Sequence, residues 1–225
     1  MLLPKALDVN KNDGFENDDG ADNHTSHSQL SSPIVTRILN ELALVKAGEH
    51  NILTFQEMAI LKEIRSRHCC DLLSKRNMAV LLIIYVESQD EVISHLRKVG
   101  GISINKYIGD GSLIIESDDA YSVMTSQEYD FLSYLQSIQD NAREKGKKGL
   151  AIILDISSLL LMSAAEELLK FESEILSDKN RAHLNFASFL CCYNGLLFDK
   201  IERTNRDAIF NNHQRKLCGI ATSTS

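Results

Sequence analysis

The sequence has no run of about 20 apolar residues, the length a helix needs to cross a bilayer, so no membrane span is expected. Its first residues, MLLPKALDVNKND, begin with only a short apolar stretch and contain no hydrophobic region of the signal-peptide kind, so no secretory leader is expected either. A basic surplus is also missing. Net charge is −7, and most of it sits in residues 1–33, where Asp8, Asp13, Glu16, Asp18, Asp19 and Asp22 face only Lys5 and Lys11. The rest of the chain is nearly balanced, with no excess of Lys and Arg to neutralise phosphates, which argues against nucleic acid as a direct partner. The five cysteines, Cys69, Cys70, Cys191, Cys192 and Cys218, never fall in a C-x-x-C spacing. An odd number containing two adjacent pairs is not a disulfide framework; reduced thiols in a cytoplasm are expected. Adjacent residues of a strand point to opposite faces, so Cys191 and Cys192 do not readily share a metal and read as small buried hydrophobes. His24 and His27 have no third ligand beside them, and no metal or other cofactor is expected.

What is present is a chain of 225 residues, 44% hydrophobic, enough to bury a sizeable core. Residues 1–33, rich in Asn, Asp, Ser, Gly and His, read as a disordered acidic tail, and residues 220–225 as a disordered C-terminal tail. Between them, over 34–219, one domain alternates strands and helices. Ile34, Ile38, Leu42 and Val45 recur at helical spacing. Strands are expected at Asn51–Phe55, Ala79–Val86, Ile102–Ile104, Leu113–Glu116, Leu150–Ile156 and Leu184–Cys192, with a turn at Gly109-Asp110-Gly111. Helices are expected at Glu57–Lys75, Ser88–Val99, Gln127–Lys145, Ala164–Leu176, Gly195–Arg203 and Asp207–Leu217. Three helix starts carry a Ser or Thr with a Glu three residues on: Ser88 and Glu91, Thr125 and Glu128, Ser163 and Glu166. In that spacing the hydroxyl and the carboxylate cap each other's backbone N–H groups. Continuous apolar strands such as AVLLIIYV, linked through helices, imply an α/β fold: a mainly parallel sheet with helices on both faces.

Several residues could carry chemistry. LAIILD ends in Asp155, the form of a Walker B strand, whose acid orients Mg²⁺ in P-loop ATPases. The matching phosphate loop is missing: after the first strand the chain reads Thr54-Phe-Gln-Glu-Met-Ala-Ile60, with no glycine and no Gly-Lys-Ser/Thr. No serine sits on a nucleophile elbow, so no catalytic residues are assigned and the chain is not expected to be an enzyme. Glu172 falls on the apolar stripe of its helix with Ala165, Leu168, Leu169, Ile175 and Leu176, where a carboxylate must be paired or neutralised. His68 falls between Ile64 and Leu72 and reads as a core histidine. Asp155, Cys191, Cys192 and Tyr193 lie near C-terminal strand ends, where parallel sheets form their ligand crevice.

These motifs, in this order, resemble the MEDS domain, a methanogen/methylotroph sensory domain similar to RecA/KaiC-type ATPases but without the P-loop. The resemblance runs from about Ala47 to Leu217. It includes Gly48-Glu-His50 before the first strand, the strand AVLLIIYV, Tyr121 after the strand near Gly109–Glu116, LAIILDIS, Phe171-Glu172, Cys191-Cys-Tyr193-Asn194 and the late His213. Asn194 stands where the family has an acid, Gln214 where Pro is common, and the family's Arg near the end of the fourth strand is not evident. The resemblance implies a non-enzymatic sensory and signal-transduction module. From their positions at the strand ends and on the apolar stripe, Asp155, Glu172, Cys191 and Tyr193 are the expected contacts of a small, weakly polar molecule, with relay to a signalling protein partner. The alternatives are a degenerate RecA-like nucleotide-binding protein and a pure protein-interaction scaffold.

Overall fold

The computed structural model describes residues 32–117, 131–156, 165–174 and 177–219. Both expected tails lie almost wholly outside these residues, as do Tyr121, Thr125, Glu128 and Ser163. Among the described residues no helix is long and apolar enough to cross a membrane.

Among the described residues six strands run parallel: β1 (His50–Phe55), β2 (Ala79–Ile83), β3 (Leu113–Glu116), β4 (Leu150–Asp155), β5 (Ala187–Asn194) and β6 (Arg215–Gly219), in the order β3-β2-β4-β5-β1-β6. Strand β4 shows why the sheet must be covered twice. Leu150, Ile152 and Leu154 enter one apolar cluster, while Ala151 and Ile153 enter another on the opposite face. All six residues of β4 are buried. A two-residue period with apolar side chains on both faces exposes too much hydrocarbon unless each face receives a helix layer.

On one face lie α1 (Pro33–Leu42), α2 (Met58–Ser74), α3 (Gln89–Gly100) and α4 (Ile104–Gly109), contributing Ile38, Leu61, Ile64, Val92 and Ile104. The other face carries α5 (Phe131–Glu144), α6 (Ala165–Glu174), α8 (Gly195–Phe198) and α9 (Arg203–Asn211), contributing Leu135, Leu168, Phe198 and Ile209. A short α7 (Asp178–His183) precedes β5.

Ser88 caps α3 as its spacing predicts. The Glu91 backbone N–H donates to Ser88 Oγ at 3.2 Å, and the Ser88 backbone N–H donates to Glu91 Oε2 at 2.8 Å. At the other end Gly101 takes φ 59°, a left-handed conformation that glycine adopts without a Cβ clash. Ser88→Ala is expected to cost about 1 kcal/mol in denaturant unfolding; no change would mean that the cap is compensated by water.

Three expectations are corrected. The segment expected as one helix over Asp207–Leu217 divides: α9 stops at Asn211 and the chain extends into β6. Leu217 and Gly219 are buried there while Lys216 and Cys218 are exposed, the alternation of a half-covered edge strand. Ile104 begins α4 instead of ending a strand, and Gly109 closes that helix. Strand β2 stops at Ile83, which leaves Glu87 beyond the strand yet buried.

Candidate functional site

Strands β1, β4 and β5 end together at the C-terminal edge of the sheet. From β1 the chain enters α2 through only Gln56 and Glu57. On this side α2 points two cations at one acid: Arg65 donates through Nη2 to Glu87 Oε2, and Lys62 Nζ lies 3.0 Å from Glu87 Oε1. Arg65 and Glu87 are both buried. Asp155, 8% exposed, pairs in register with Cys192 and shares that face of the sheet. Burial, and then the charge of Asp155, push the Cys192 thiol far up, with Arg65 pulling the other way. Cys69 is likewise pushed up to about 12 by burial, so both thiols stay protonated and unreactive.

On the opposite face an open cleft of about 370 Å³ lies over the ends of β1 and β6, between Thr54 and Cys218 and the helices α8 and α9. Its size falls within the range of small-molecule sites, roughly 300–1,000 Å³. Phe198 and Phe210 form an apolar wall, their rings edge-to-face at 5.0 Å. The polar rim is paired: Arg206 Nη1 donates to Asp199 Oδ1 at 2.8 Å, and Arg203 Nε sits 3.9 Å from Asp207 Oδ2. Asn194 sets the wall's position. Its Oδ1 accepts from the backbone N–H groups of Leu196 and Leu197 at 3.0 and 3.3 Å and so starts α8. An Asp could cap the helix in the same way.

The structure separates the residues assigned to a ligand. Asp155 lies on the α1–α4 face, whereas Cys191 and Tyr193 lie on the other, fully buried. Tyr193 is inside β5, and its ring packs at 5.0 Å behind Phe198. Asp155, Cys191 and Tyr193 do not line the cleft. The backbone of Glu172 belongs to α6, and its side chain lies outside the described residues.

A second grouping comes from residues far apart in the chain. His50 opens β1, Cys191 lies on β5 diagonally across from it, and His213 follows α9. His50 Nε2 is 3.1 Å from Cys191 Sγ. The His50 and His213 rings lie 3.7 Å apart between centroids, tilted by 42°. His213 Nδ1 donates to the Ile209 carbonyl at 2.6 Å. The start of β6 is tied to His50 as well: Gln214 N–H donates to the His50 carbonyl at 2.8 Å, and the His50 N–H donates to Gln214 Oε1 at 2.6 Å. Sequence spacing carries no sign of this cluster, because nothing local relates positions 50, 191 and 213. The only signal was their joint membership of the MEDS-like motif set.

No protein-family model and no curated protein matches the sequence. Solved structures do share its fold. An uncharacterized protein from Pyrococcus horikoshii, crystallised in complex with an unknown peptide, superposes with a TM-score of 0.60 at 13% identity, covering 81% of this chain and 82% of that one. The flagellar accessory protein FlaH from Methanocaldococcus jannaschii gives a TM-score of 0.52 at 16% identity, covering 77% and 72%. A KaiC-like protein from Pyrococcus horikoshii gives 0.47 at 15% identity, covering 66% and 63%. With six parallel strands in this order among the described residues, the chain shares the α/β fold of the first two of these proteins.

Proposed function

We propose that the chain is a non-enzymatic sensory and signal-transduction module on a RecA/KaiC-like scaffold. It takes a small molecule in the cleft beside α8 and α9 and relays its presence to a protein partner. The observation that carries this reading is the link between β1 and α2, which is Gln56 and Glu57 alone. A phosphate cradle needs several successive backbone N–H groups turned inward along a glycine-rich loop, with a Lys at the helix start. Two residues cannot form that nest, and Glu57 adds a carboxylate where an anion would bind. The nearby cations do not substitute for it, since Lys62 and Arg65 are engaged with Glu87.

Support for the sensory half comes from the ordered MEDS-like motifs and from the cleft itself. Phe198 and Phe210 provide apolar contact, and the Arg206–Asp199 and Arg203–Asp207 pairs provide a charge-balanced polar rim. That lining suits a compact, weakly polar ligand better than a triphosphate.

The test pairs two titrations. Calorimetry with ATP and Mg²⁺ is expected to show no binding at micromolar concentration. A thermal-shift screen of small organic molecules is expected to give hits whose shift is abolished by Phe210→Ala. Micromolar ATP binding would replace this reading with that of a degenerate nucleotide-binding protein. Hits that persist unchanged in Phe210→Ala would remove the cleft as their site.

A further inference from the structure

We propose that His50, Cys191 and His213 form a buried binding site for a single borderline or soft transition-metal ion, Zn²⁺ or Cu⁺. One donor atom of each residue lies within 4.8 Å of those of the other two, and all three residues are buried. An ion held at about 2.1 Å from nitrogen and 2.3 Å from sulfur spaces its ligand atoms roughly 3.3–3.9 Å apart. The 3.1 Å between His50 Nε2 and Cys191 Sγ is slightly shorter than that spacing, and the imidazole centroids, 3.7 Å apart, are closer than the roughly 5 Å of two rings on one tetrahedral ion, so the ion is admitted as the two rings swing apart.

The surroundings are those of a metal ligand set. The Ile209 carbonyl accepts the Nδ1–H of His213, which fixes the tautomer and puts the lone pair on Nε2. A ligating histidine characteristically gives its other N–H to a carbonyl or carboxylate, which orients the ring and raises its basicity. The His50 backbone is held on both sides by Gln214, so its ring is carried by a braced strand end.

The donor set selects the ion. Two imidazoles and one thiolate favour Zn²⁺ or Cu⁺ over Mg²⁺ or Ca²⁺, which require oxygen ligands. Ile52 and Phe189 beside the cluster are fully buried and apolar and offer no oxygen donor. Cys191 binds as the thiolate, its proton leaves to solvent, and no redox change is involved. His213, 5% exposed between the exposed residues Asn212 and Gln214, places the cluster just beneath the surface.

The site rests on this geometry and stands apart from the proposed ligand cleft, so either can fail alone. The full chain, purified with reduced thiols and stripped of metal, is titrated with Zn²⁺, with Co²⁺ as its spectroscopic stand-in, and anaerobically with Cu⁺ against a competing chelator. One equivalent of Zn²⁺ or Cu⁺ is expected to bind and raise the melting midpoint. Co²⁺ is expected to show a thiolate charge-transfer band. Cys191→Ala should abolish the band, His213→Gln should weaken binding at least about tenfold, and the paired change His24→Asn with His27→Asn should leave both readouts unchanged. If Cys191→Ala does not fold, as judged by circular dichroism, His213→Gln decides. A folded parent that binds none of these ions at micromolar concentration overturns the proposal. So does binding whose affinity is undiminished in Cys191→Ala or His213→Gln, or that disappears with the two tail histidines.

Discussion

Glu87→Gln is expected to lower the unfolding free energy by about 3–5 kcal/mol, the usual cost of breaking a buried ion pair by removing one partner. The reason lies in how Arg65 is held. Its residue is 3% exposed, and its Nη2 donates to Glu87 Oε2. Its Nε and Nη1 are buried and make no hydrogen bond among the described residues. Neutralising Glu87 therefore leaves a guanidinium out of water with its direct counter-charge gone. Lys62, with its side chain 32% exposed, can turn outward to solvent and adds little to the penalty. The double change Arg65→Met with Glu87→Leu should recover most of the loss, because two hydrocarbon side chains need no partner. Chemical denaturation of the three variants reads this directly. If Glu87→Gln stays within about 0.5 kcal/mol of the parent, the pair is hydrated and the face is more open than the structure has it.

Acid should destabilise the protein through His68 before most carboxylates titrate. His68 lies on α2, buried against the sheet, and burial, followed by the nearby Arg76 charge, lowers its pKa from 6.5 to about 4, with Asp71 opposing. The sign follows from proton counting. Between about pH 6.5 and 4 the unfolded chain binds a proton at this histidine that the folded chain refuses. Stability from His68 is thus complete above about pH 6.5 and is lost as the pH falls towards 4. At about 1.36 kcal/mol per pH unit the loss reaches roughly 3 kcal/mol. Denaturant unfolding at pH 7.5 and pH 4.5 should show this drop in the parent and a much smaller one in His68→Met. An equal drop in both would assign the acid sensitivity to other groups.

Much of the fold is legible in local pattern. Continuous apolar runs such as AVLLI and LAIILD must be strands buried on both faces, because no other short element hides every side chain. Ser88 with Glu91 marks a helix start, because both partners of the cap lie within four residues. The missing glycine loop after β1 is equally local, and it is matched by the bare Gln56–Glu57 link.

Tertiary structure decided the rest. Arg215–Gly219 has little apolar content of its own, and it is a strand because β1 offers an open edge to pair with. Asp155 and Tyr193 both stand near C-terminal strand ends, but the register Asp155↔Cys192 sends them to opposite faces, and register is not written in either strand alone. The same holds for His50, Cys191 and His213. Strand order and register bring residues 141 apart into contact on one face, and no spacing rule reaches that far. Side-chain periodicity is a property of a few neighbouring residues, so the sequence by itself determined which segments are strands and helices. Which side chains meet depends on how those segments pack, so only the assembled sheet could place an imidazole beside a thiol.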